Sequence, residues 1–156
     1  MRRVSSIAIA LALAMPIAAW AQSKPDFSGT WTMNAEKSDP APQGRGGGGG
    51  GGPITIKQTA TELSITTEGR QGPNTVTYKL DGSASTNPGR GGAEVKSTAK
   101  WDGSTLVIET TQDMGGSPVT ITAKRRLDGQ DMIVETTNPG GPNGPTTRKV
   151  VYTKGS

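Results

Sequence analysis

The chemistry available to this chain is set first by what it lacks. It contains no His and no Cys, which removes the commonest general base, the thiol nucleophile and the usual zinc ligands. Its most placed polar groups are arginines. Arg125 shares the alternating phase of Val119, Ile121, Ala123 and Leu127, and Arg148 shares that of Val150 and Tyr152. Alternate residues of a strand lie on one face, so both guanidiniums sit among side chains that a core would bury, as do Tyr78 and Tyr152. An inward Arg beside a Tyr hydroxyl can take a ligand carboxylate through charge-assisted hydrogen bonds. The alternative is solvation. Arg125 is close to a turn and Arg148 to a loop, where a one-residue slip or the long side chain itself would put either head in water.

Two further sets of residues bear on chemistry. Arg45, Arg70 and Arg90 lie in three Gly/Pro-rich loops; gathered at one end of a fold they would draw in an anion, although charged loops also serve solubility alone. Most carboxylates fall in turns or on a polar strand face, and Asp128 with Asp131 lacks the spacing of a calcium loop. Catalysis would require two of Arg148, Tyr152, Glu68 and Asp113 to converge. The chain is therefore expected not to be an enzyme and to carry no metal or cofactor. The glycine run 46–52 is followed by Pro53 and a strand rather than by Lys, Ser/Thr and a helix, so it is no phosphate cradle. With Arg45 as its one neighbouring arginine it is also no arginine-glycine nucleic-acid segment. It reads as a flexible loop over 40–53 and a candidate lid.

Positioning these residues falls to ten short alternating segments rich in β-branched residues: 27–33, 54–58, 62–68, 74–80, 83–86, 94–101, 104–112, 117–127, 131–137 and 146–154. One parity is apolar, as in Ile54 and Ile56, Leu63 and Ile65, or Met132 and Val134. The other carries Lys, Glu and Thr. A lipid-facing barrel would need an apolar outer band, so this pattern predicts one buried and one wet face. The connections alternate in kind. Long loops at 34–53, 69–73, 87–92, 113–116 and 138–145 are interleaved with tight turns at Thr59-Ala60-Thr61, Asp81-Gly82, Asp102-Gly103 and Asp128-Gly129. In an antiparallel meander successive connections lie at opposite ends, which gathers the long loops at a mouth and the tight turns at a floor. The prediction is an all-β, up-and-down antiparallel barrel of about 8–10 strands, with a two-sheet sandwich as the alternative. The resembling starts at Leu63, Leu106 and Met132, each leading into Thr-Thr, reflect similar hairpins.

The N-terminus reads separately. Met1-Arg2-Arg3, the apolar run 4–14 and Ala19-Trp20-Ala21 form the three parts of a secretory signal peptide over 1–21, cleaved after Ala21. The apolar run is too short to span a membrane. Removing 21 of 156 residues leaves 135, the size of one domain over 22–156. Without Arg2 and Arg3 the formal charge falls from +4 to +2, so nothing calls for nucleic acid as a partner. The expected location is the periplasm or the exterior. Without Cys, stability there depends on packing and backbone ladders.

Asp26-Phe27-Ser28-Gly29-Thr30-Trp31 carries a resemblance. Gly-Thr-Trp resembles the G-x-W motif of lipocalins. The longer run through Asn34, Lys37, Ser38 and Asp39, with Leu80-Asp81-Gly82, Ala99-Lys100-Trp101-Asp102-Gly103 and Thr147-Arg148-Lys149, is similar to a group of small secreted bacterial proteins with lipocalin-like barrels. Ten candidate strands, against the eight of lipocalins, match their fatty-acid-binding relatives. The resemblance implies a barrel that binds a small apolar or anionic ligand inside. The competing expectation is a structural or interaction module of the cell envelope with a filled barrel. Trp31 would fill the lower or middle interior as core, with stacking on a ligand as its other role. The ligand-binding candidates are thus Trp31, Tyr78, Arg125, Arg148 and Tyr152.

Overall fold

A computed structural model describes residues 23–41, 52–69, 72–89, 92–113, 116–140 and 144–155. The leader, most of the glycine run, and Arg45, Arg70 and Arg90 lie outside the described residues, as does the mouth cluster they were expected to form. All ten expected strands form: β1 (Gly29–Asn34), β2 (Ile54–Gln58), β3 (Glu62–Gly69), β4 (Gly72–Lys79), β5 (Ala84–Pro88), β6 (Glu94–Asp102), β7 (Thr105–Asp113), β8 (Pro118–Asp128), β9 (Asp131–Asn138) and β10 (Thr146–Lys154). One expected long loop is overturned. The β3–β4 ladder runs to Gly69 opposite Gly72, so the glycines and Pro73 that suggested a loop over 69–73 belong to a tight hairpin. Gly72, at φ 104°, takes a backbone angle that other residues avoid.

The strands form one antiparallel sheet in the order β4-β3-β2-β1-β10-β9-β8-β7-β6-β5. It is a meander closed by β1 against β10, so the edges β4 and β5 meet although they are consecutive in the chain. No backbone ladder joins them. Side chains do so instead. The Asn87 carboxamide accepts from Thr77 N–H at 2.8 Å and donates to Thr77 C=O at 2.9 Å, while Ser85 Oγ accepts from Lys79 N–H at 2.9 Å. An amide and a hydroxyl thereby stand in for the missing strand pairing and satisfy edge groups that would otherwise be orphaned.

The lower interior is packed solid. Phe27, Trp31, Ile56, Leu63, Leu106 and Met132 are essentially fully buried. Phe27 was expected to open the first strand, but it lies in the segment that crosses the floor before β1. Its ring stacks on Trp101 with centroids 5.9 Å apart and planes within 4°. Gln58, at the end of β2, ties this segment down: its Oε1 accepts from Phe27 N–H at 3.0 Å and its Nε2 donates to Pro25 C=O at 2.9 Å. Trp31 donates its indole N–H to Phe27 C=O at 2.8 Å. The Asp-Phe-Ser-Gly-Thr-Trp run is thus a plug. Asp26 Oδ1 holds Ser28 N–H, and Gly29, at φ 127°, passes Lys154 so closely that a Cβ would lie 2.9 Å from its Cε. A smaller apolar pair, Ile133 and Val151, is buried on the otherwise wet face. It lies where residues 34–39 fold back along β10, with Val151 N–H on Ser38 Oγ at 2.9 Å and Lys149 N–H on Asp39 Oδ2 at 2.7 Å.

Candidate ligand-binding site

Strand register stacks the inward side chains in rows. Trp101, Leu106, Arg125, Val134 and Val150 are successive cross-strand partners from β6 to β10. One step toward the floor Leu127, Met132, Tyr152 and Met33 form the next row. One step toward the mouth come Ala99, Ile108, Ala123, Thr136 and Arg148. Arg125 therefore stands at the boundary between the packed floor and the upper interior. Above it, Ile121, Ala123, Thr136 and Asn138 point inward and are yet partly exposed, as are Val76 and Tyr78 on β4. Inward side chains with accessible surface make this mouth-side region, called the cup below, the less covered part of the interior.

Arg125 is in an unusual position for a cation. Its residue is only 8% exposed. Among the described residues the ion pairs are Lys37 with Asp131 and Arg126 with Glu135, and Arg125 belongs to neither. Its Nη1 reaches Met132 Sδ at 3.5 Å, a weak acceptor, and its buried Nε has no partner. Burial holds its pKa below the ordinary value, opposed by the phenol groups of Tyr152 and Tyr78. Burial also pushes the Tyr78 pKa up, with the Arg125 charge acting against it. Two more donors near this level are buried and partnerless, Trp101 Nε1 and Arg148 Nε. A cation with unmet N–H groups in an apolar setting is complementary to an anion.

The residues singled out from sequence divide accordingly. The structure brings Arg125 within electrostatic reach of Tyr78 and of Tyr152, and register places Arg148 one row from Arg125, nearer the mouth. Arg148 is half-buried, with Nη2 donating to Asp39 C=O at 3.4 Å. Arg125 is not the solvated surface residue that its nearness to a turn allowed, whereas Arg148 stays partly exposed beside its loop. Trp31, at 2% exposure and with its N–H engaged by Phe27, takes the core role and does not face the cup. Glu68 and Asp113 are exposed, and Asp113 Oδ1 caps Gly116 N–H at 2.7 Å. No cluster of metal-ligating side chains occurs among the described residues. Sequence reading passed over Thr136 and Asn138, which the phase of Met132 and Val134 points inward, and over Ser85 and Asn87, whose role depends on a seam that no local pattern reveals.

Solved structures share this architecture. The zebrafish ileal bile acid-binding protein, complexed with cholic acid, superposes with a TM-score of 0.61 at 17% identity, covering 83% of this chain and 98% of that one. The fold is that of the fatty-acid-binding proteins. Fatty-acid-binding protein 1 of Echinococcus granulosus gives a TM-score of 0.57 at 12% identity, over 83% and 98% of the two chains. REP1-NXSQ, a fatty acid transporter, gives 0.56 at 15%, over 83% and 96%. By name all three are binding or transport proteins. No protein-family model and no curated sequence matches the chain.

Proposed function

We propose that this protein is an exported barrel that holds a small amphipathic acid, with the anionic head on Arg125 and the remainder in the cup above. The observation that carries the reading is the buried Arg125 with no carboxylate partner among the described residues and an unpartnered Nε. An unpaired buried cation costs roughly several kcal/mol after relaxation, and an anionic ligand offsets the part of that cost that Tyr78 and Tyr152 do not. Tyr78 and Tyr152 supply hydroxyls beside it, and the half-exposed apolar wall of Ala123 and Ile121 supplies the surface for a hydrocarbon. The names of the structural neighbours support a small apolar ligand. The basic, apolar and small-x-small parts of residues 1–21 support export. The Asp26–Trp31 run supports a place among the secreted bacterial lipocalin-like proteins.

Native mass spectrometry of protein purified from its own envelope fraction, before and after organic extraction, tests the proposal. A discrete extractable acid, together with binding of a fluorescent polyene fatty acid by the extracted protein, is the expected result. Repeated absence of any extractable mass, with no uptake of the fluorescent acid, would overturn it in favour of a filled barrel acting through its surface.

A further inference from the structure

The walls of the cup are not those a plain hydrocarbon chain requires. On β9 the inward residues run Met132, Val134, Thr136, Asn138 from floor to mouth, turning polar above the Arg125 row. On β7 they change likewise, from Leu106 and Ile108 to Thr110. Two buried atoms on β9 and β10 have no partner: Asn138 Oδ1, an acceptor, and Arg148 Nε, a donor. An unbranched saturated acid offers only carboxylate oxygens, which the Arg125 site consumes. Its tail would lie against Thr136, Asn138 and Arg148 and offer none of them a hydrogen bond, and a buried polar group left unpaired is costly. A hydroxyl both donates and accepts, so it serves an amide oxygen and a guanidinium N–H alike.

We infer that the ligand is a hydroxylated amphipathic acid, recognised at two heights: the anion at Arg125 and a hydroxyl on the polar wall of Thr136, Asn138 and Arg148. The inference rests on the reading of Arg125 as the anion site and names the class of molecule it takes. Arg148 is two residues up β10 from Val150, and Asn138 four residues up β9 from Val134, both of which share the Arg125 row. At about 3.4 Å per residue the hydroxyl lies roughly 7–14 Å toward the mouth from the guanidinium level.

The test compares 12-hydroxyoctadecanoic acid with octadecanoic acid by displacement of a fluorescent fatty acid from the extracted protein. One or two added hydrogen bonds predict about tenfold tighter binding of the hydroxy acid. Asn138→Leu and, as a near-isosteric second variant, Thr136→Val should each erode that preference, weakening the hydroxy acid while octadecanoic acid binds at least as tightly as to the unaltered protein, since its tail no longer covers an unpaired polar group. Equal binding of the two acids to the unaltered protein, or variants that weaken both acids equally, would overturn the inference. If both acids bind and Arg125→Met weakens both, the anion site stands whatever the hydroxyl result. If neither acid binds, the anion site and the hydroxyl wall fall together.

Discussion

Replacing Arg125 by Met separates what the residue does for the empty protein from what it does for a ligand. The two side chains are both unbranched and long, so Met can occupy the volume between Leu106 and Val134 without overpacking. Arg125 is 8% exposed as a residue, has no carboxylate partner among the described residues, and makes one weak contact to Met132 Sδ. Desolvating an ion costs several kcal/mol after relaxation, and exchanging buried ionic groups for apolar ones is worth roughly 1–4 kcal/mol in favourable cases. The dipoles of Tyr78 and Tyr152 recover part of the cost, so the extracted, ligand-free variant should gain about 1–3 kcal/mol. For a chain of this size, that raises Tm by roughly 3–12 °C. Binding should move the other way. Loss of a charge-assisted bond in a dry site costs about 1.5–3 kcal/mol, a ten- to hundredfold fall in affinity for a fatty acid. Arg125→Lys keeps the charge but not the planar fork, so it should bind with intermediate affinity and show no gain in stability. Thermal unfolding of extracted protein and fluorescence titration measure the two effects. A ligand-free Met variant that is less stable than the parent while binding acids equally well would refute the argument, because it would mean that the guanidinium is a structural group.

Other perturbations address the frame that holds the site. Asn87→Ala strips two seam bonds and leaves Thr77 N–H and C=O facing a gap, which should cost about 1–3 kcal/mol in urea unfolding and speed hydrogen exchange at Thr77 more than at Ile65 in the barrel wall. Phe27→Ala opens the floor beneath Trp31 and Trp101 and should cost roughly 3–5 kcal/mol; a loss below about 1 kcal/mol would contradict the plug. The Asp131 pKa lies below its ordinary 3.8, chiefly through the hydrogen bond from Lys37 Nζ. A carboxyl depressed in the folded state adds stability that is complete above the ordinary value and disappears as pH falls through the folded one. Asp131→Asn should therefore be the less stable protein near pH 6 and match the parent near pH 2, and added salt should narrow the difference. A gap that persists unchanged at low pH would argue against the ion pair as its source.

Sequence by itself determined ten alternating segments and their two faces, and it favoured an antiparallel meander of about 8–10 strands over a two-sheet sandwich. These properties are local. Period-two alternation assigns each side chain to a face, and Asp-Gly pairs bring consecutive strands into register, so Arg125, Arg148, Tyr78 and Tyr152 were legible as inward residues. Burial of Ile133 and Val151 on the polar parity was not legible, because the segment that covers them comes from the far end of the chain. Tertiary structure alone decided the rest. Whether Arg125 meets a carboxylate depends on what nine other strands place around it. The engagement of the Trp31 N–H depends on Phe27 lying across the floor rather than in β1. The seam depends on closure of the sheet, which makes β4 and β5 edges even though they are neighbours in sequence. Alternation reports which way a side chain points; only the closed barrel determines what it meets there.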